Sequence, residues 1–106
     1  MENIIYVAVE ERSQVEEFVK AVAIMKGQEP KRTYVRLSLP AVLRVNFDKG
    51  VIDASPLNKK GFGSFLPGRC REEWWHQALN YRQGFEMLKA KVLAFKYSEE
   101  RLGRLR

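Results

Sequence analysis

Lys59, Lys60, Phe62, Phe65, Arg69 and Arg71 fall within thirteen consecutive positions, 59–71, that contain no acid. Cationic side chains neutralise phosphates and aromatic rings stack on bases, so this set is suited to a nucleic acid, RNA or single-stranded DNA. Arg32 and Arg36 add two cations just upstream. These eight residues are the candidate nucleic-acid contacts. Other chemistry has thinner support. Cys70 lies between two arginines ahead of a helix, a setting in which a thiol can be reactive. Its nearest histidine, His76, is six positions on, which puts the pair on opposite sides of a helix. No third group orients them. One His and one Cys make no recognisable zinc site. Asp48 and Asp53 are explained by a turn and a strand end. The expectation is a protein that is not an enzyme, with no catalytic residue, no metal and no cofactor.

Two short resemblances bear on the same region. Lys60-Gly61-Phe62-Gly63-Ser64-Phe65 resembles the RNP1 string of RNA-recognition-motif domains, in which a cation, glycines and aromatics let bases stack on a strand. Ile5-Tyr6-Val7 would then occupy the first strand of such a fold, and Ser64 stands where that motif carries an aromatic. Arg32, Arg36 and Asp53-Ala54-Ser55 resemble the arginine and Asp-x-Ser-x-x-Gly elements of PilZ cyclic-di-GMP receptors, with Asn58 in place of the glycine. That resemblance implies a small-ligand binder.

Charge supports a polyanionic partner. The net charge is +6, but residues 1–30 hold three basic and six acidic side chains, and the rest hold sixteen and seven. Positive charge is therefore segregated toward the C-terminal two thirds. With 106 residues and 45% hydrophobic side chains, one domain is expected. Ile4–Val9 is too short to span a bilayer and lacks the flanks of a signal peptide. A single cysteine fits a reducing, cytoplasmic setting with no membrane association.

The elements that must position these residues read as α+β, in the order β-α-β-β-β-α, with a small antiparallel or mixed sheet packed by one short helix and one long C-terminal helix. Ile4–Val9 is a continuous apolar run, expected as a strand buried on both faces. Ser13-Gln14-Val15-Glu16 matches a capping box, and Val15, Phe18, Val19, Val22 and Met25 share a helix face that Gly27 ends. Thr33, Val35, Leu37 and Leu39 alternate as a strand up to Pro40. Ala41, Leu43, Val45 and Phe47 continue an inward face, Asp48-Lys49-Gly50 turns the chain, and Val51–Ala54 returns. Ser55–Cys70, with three Gly and two Pro, reads as a long loop.

From Glu72 to about Glu99 nothing breaks a helix. Trp74, Ala78, Tyr81, Phe85, Leu88, Val92 and Phe95 form one stripe at steps of 4 and 3. Such a helix would run about 42 Å, longer than a small domain is wide. Part of the stripe is therefore expected on a partner, most simply a second copy: Trp74, Tyr81, Phe85, Leu88, Val92 and Phe95 are the candidate homodimer interface. Gly84 beside the stripe would admit another backbone. The tail 101–106 adds three arginines. The expected function is nucleic-acid binding through the basic loop of a small dimer. The alternatives are an assembly module acting through the long helix and Trp75, or a small-ligand-binding protein.

Overall fold

The computed structural model describes residues 3–27, 38–60 and 64–104, of which 59–60, 64–65 and 99–104 are described by backbone alone. Strand β1 (Ile4–Val9) is followed by helix α1 (Arg12–Met25), then β2 (Ala41–Asn46) and β3 (Val51–Pro56). A short hairpin, β4 (Asn58–Lys60) and β5 (Ser64–Leu66), leads into α2 (Glu72–Gln77) and α3 (Tyr81–Arg104). β1, β2 and β3 form one antiparallel sheet in that spatial order, and β4 with β5 forms a second, two-stranded sheet. The α+β class is as the sequence implies. Of the expected strand over 33–39, residues 33–37 lie outside the described residues, as does the connection 28–31, and 38–39 are not in a strand. The stretch read as a long loop, Ser55–Cys70, instead completes β3 and forms the β4–β5 hairpin.

Register sorts the sheet into two faces. Ile5, Val45 and Ile52 make one row, and Val7, Leu43 and Ala54 the next. These residues meet Val15, Phe18 and Val22 of α1 and Leu88 of α3 in the main core. The opposite face carries the rows Tyr6–Arg44–Asp53 and Ala8–Val42–Ser55. It is closed by Leu57, Cys70 and Trp74. β1 is thus fully buried on one face only, with Ile4, Tyr6 and Ala8 half-buried on the other. The cause is that α2 is six residues long and covers little area.

Helix α1 begins one residue before Ser13, with Glu11 at its N-cap. Gln14 Oε1 accepts from the Glu10 and Glu11 amides at 2.7 and 3.1 Å, replacing the box expected from Ser13 and Glu16. Only Glu10 and Glu11 separate β1 from α1, so the helix must start at once. Gly27, at φ +67°, ends it as expected. The hairpin turn also matches: Gly50 has φ +68°, and the Lys26 ammonium reaches over it to donate to the Asp48 carbonyl.

The expected continuous helix from Glu72 is interrupted at Ala78–Asn80. Ala78 turns to an extended conformation at φ −67°, ψ 123°. Leu79 then lies parallel against the free edge of β1: its N–H donates to the Tyr6 carbonyl, and its carbonyl accepts from the Ala8 N–H, each at 2.8 Å. Asn80 restarts the helix with a reciprocal box. Its Oδ1 accepts from the Gln83 amide at 2.8 Å, and Gln83 Oε1 accepts from the Asn80 amide at 3.2 Å. The close backbone approach at Gly84 is to β1 of the same chain. A Cβ there would sit 2.5 Å from both methyl carbons of Val7. Past Leu88, sixteen more residues carry α3 about 24 Å further, and the molecule measures 54 × 26 × 23 Å.

Two measurements check this packing. Gly84→Ala is expected to destabilise the protein by about 1–3 kcal/mol in urea unfolding, although alanine is the better helix former. An unchanged or raised midpoint would refute the tight Gly84–Val7 contact. Tyr81 packs edge-on against Phe18, ring centroids 6.3 Å apart, and burial, aided by Glu17, pushes its phenol pKa up. The folded state then holds that proton more tightly than the unfolded chain. This stability is complete below about pH 10, the unfolded value, and is lost as pH rises through the higher folded value. Stability of the wild type should therefore fall relative to Tyr81→Phe between neutral pH and about pH 11. A constant difference in urea midpoint would exclude it.

Candidate nucleic-acid interface

The alternation of β2 sends Leu43 and Val45 into the main core and leaves Arg44 on the opposite face, between Tyr6 and Asp53. Arg44 Nη2 donates to Asp53 Oδ2 at 2.7 Å. That hydrogen bond, against some desolvation, raises the guanidinium pKa, so Arg44 is a permanent cation. Its guanidinium carbon lies 4.9 Å from the centre of the Trp74 ring. Arg71 approaches the same ring at 5.3 Å. Tyr6 meets it at 5.7 Å with planes inclined by 59°. One buried indole therefore organises two arginines, through attraction of the cations to its π face.

Trp74 is delivered by α2, whose entry is tied to β3. The Arg71 amide donates to the hydroxyl of buried Ser55 at 3.1 Å, and the Cys70 amide donates to the Pro67 carbonyl at 2.6 Å. Gly68 turns at φ +48°, and a Cβ there would strike the Asn58 side chain. Cys70 is buried beside Val42, Leu57 and Trp74. Its neighbours Arg69 and Arg71 are exposed. Cys70 is thus the anchor of a turn whose flanking arginines face water. His76 pairs with Glu72 of its own helix at 3.3 Å.

The sequence-derived contacts divide as follows. Arg69 and Arg71 stand on the entry to α2, and Arg71 is brought to Arg44. Lys59 and Lys60 lie in β4, paired with Phe65 and Ser64 of β5 respectively. Arg32, Arg36 and Phe62 lie outside the described residues. The RNP1-like string departs from its model in topology, because β4 and β5 pair with each other and not with β1. Of the residues shared with the PilZ pattern, Asp53 is engaged by Arg44 and Ser55 by the Arg71 amide. Arg44 and Tyr6 were not singled out from sequence. The available signal was a lone cation set against the inward alternation of Ala41, Leu43, Val45 and Phe47.

The residues proposed for a homodimer interface are dispersed. Trp74 lies in the second-face cluster and Leu88 in the main core, both buried by this chain itself. Tyr81 and Phe85 are half-buried against that core, their rings stacked at 5.6 Å. Val92 and Phe95 are half-buried further along α3. The stripe is thus divided between the two core clusters and the distal part of α3.

Among the described residues, no helix is long and apolar enough to cross a membrane. No protein-family model, curated protein or solved structure matches this chain.

Arg44 and Asp53 are partly exposed, so their ion pair contributes little to stability while neutralising a cation on the basic face. Asp53→Asn should shift stability by no more than about 1 kcal/mol and raise affinity for anions. Elution from heparin at higher salt, with an unchanged fold, is the expected outcome. Unchanged elution would show that Asp53 does not mask Arg44.

Proposed function

We propose that this protein is a non-enzymatic binder of single-stranded nucleic acid, RNA or DNA, acting through the face formed by the entry to α2 and the β4–β5 hairpin. The single observation that carries this reading is the clustering of Arg44 and Arg71 on one tryptophan, with exposed Arg69 beside them. No ion pair holds Arg69 or Arg71 among the described residues. A planar guanidinium gives bidentate hydrogen bonds to phosphate and also stacks on bases. We extend the proposed face to Lys59 and Lys60 of β4 and to Phe65 of β5 by their place in the hairpin.

The acid-free stretch from Ala54 to Arg71 supports the same reading. Glu72 and Glu73 follow at the first turn of α2, where the helix dipole favours them and where they bound the track. In this reading Cys70 and His76 have no catalytic role. Cys70 is packed in a core cluster and His76 faces Glu72.

Affinity for a labelled single-stranded oligonucleotide should fall steeply with salt, the logarithmic slope being about −0.7 for each neutralised phosphate. Replacing both Arg69 and Arg71 by alanine should flatten that slope by about 1.4, with a loss of stability of about 1 kcal/mol from the Arg71–Trp74 contact. Absence of binding at micromolar protein, or binding indifferent to salt, would refute this function.

A further inference from the structure

On the side of the molecule away from Trp74, α1 and α3 enclose an open apolar groove of about 520 Å³. Its floor and walls include Ile24, Phe85, Leu88, Val92 and Leu93. Ile24 is 60% exposed and Leu93 67% exposed, so the two banks present large aliphatic side chains to water. The rim carries Lys20, Lys89 and Lys96 against one acid, Glu17. Lys89 also pairs with Glu86 at 2.7 Å.

We propose that this groove docks one amphipathic helix of a partner protein, with an apolar stripe along its buried side and acidic residues flanking the stripe. Three observations define that occupant. The groove lies between two helices, the geometry into which a third helix nests through side chains at i, i+3, i+4 and i+7. From Phe85 to Lys96 the α3 wall is about 16 Å long, or three turns, which sets the length of the segment. The surplus of lysine on the rim selects acidic flanks, which would speed association and exclude basic helices. A second copy of this chain fits less well. The long helix it could offer is α3, whose described charged side chains are Arg82, Lys89, Lys91 and Lys96 against Glu86. Inserting it would set lysine against lysine. The proposal is independent of the nucleic-acid reading, since the groove shares no residue with the face around Trp74.

The test is selection from a displayed library of three-turn helices with a fixed leucine stripe and randomised flanks, using the full chain as bait. The counter-bait is the double variant Ile24→Glu/Leu93→Glu, whose exposed positions let the fold persist, as checked by circular dichroism. Enrichment of acidic flanks, with at least tenfold weaker binding to the variant and weakening by salt, is the expected result. In a second bait, Lys20→Glu/Lys96→Glu, the preference should invert toward basic flanks. This variant decides the matter if the first fails to fold. Enrichment of neutral or basic flanks on the wild type, or of nothing above the counter-bait, would overturn the proposal. So would a wild-type dimer in sedimentation velocity that Leu93→Glu dissociates, because the occupant would then be a second copy.

Discussion

Two backbone hydrogen bonds between Leu79 and the free edge of β1 are what the rest of this structure depends on. An unpaired strand edge offers donors and acceptors that must find partners, and Leu79 supplies them from within the chain. For that docking the C-terminal stretch must leave the helical conformation at Ala78 and re-enter it at Tyr81. The break splits one stripe between two faces of the sheet. Trp74 goes to the face of Tyr6 and Arg44, whereas Tyr81, Phe85 and Leu88 go to the face of Phe18 and Val7. Gly84 completes the arrangement, since only a residue without Cβ lets α3 lie against Val7.

The two faces differ in what they can carry. The α1–α3 face is packed by aliphatic and aromatic side chains from five elements and forms the main core. The other is roofed by six helical residues with Leu57 and Cys70, so its cross-strand row Tyr6–Arg44–Asp53 stays near water. A charged row is tolerated there because solvent still reaches it and because Asp53, the Trp74 ring and Tyr6 surround the guanidinium. The same partial roof that leaves Arg44 accessible holds Arg71 beside it through the Ser55 hydroxyl. Incomplete packing and concentrated positive charge thus have one origin, the shortness of α2.

Much of the fold was legible along the chain. Apolar alternation in 41–47, the Asp48-Lys49-Gly50 turn, the stop at Gly27 and the inward face of α1 all depend on near neighbours, and all stand as read. The α1 cap was displaced because Gln14 competes successfully with Glu16 when the helix starts at Arg12. The hairpin inside 55–70 was hidden by its Gly and Pro content, which marks a loop as readily as a tight two-stranded turn. Of the site, the cations at 69 and 71 were visible as composition. Their focus was not, because Arg44 and Trp74 are thirty positions apart and meet only through the sheet.

The sequence by itself determined the α+β class, the segregation of charge and the amphipathic character of the last third, since each is a property of local pattern. It also held the sign of the break, Asn80 followed by Gln83 as a capping pair, though the unbroken stripe across that point spoke for continuity. Tertiary structure decided between them. A helix through Ala78–Asn80 would satisfy those amides internally but leave the β1 edge unpaired and Trp74 and Leu88 on one side. The chain gains more by pairing the edge and covering both faces of its sheet, and no periodicity in a sequence encodes that comparison.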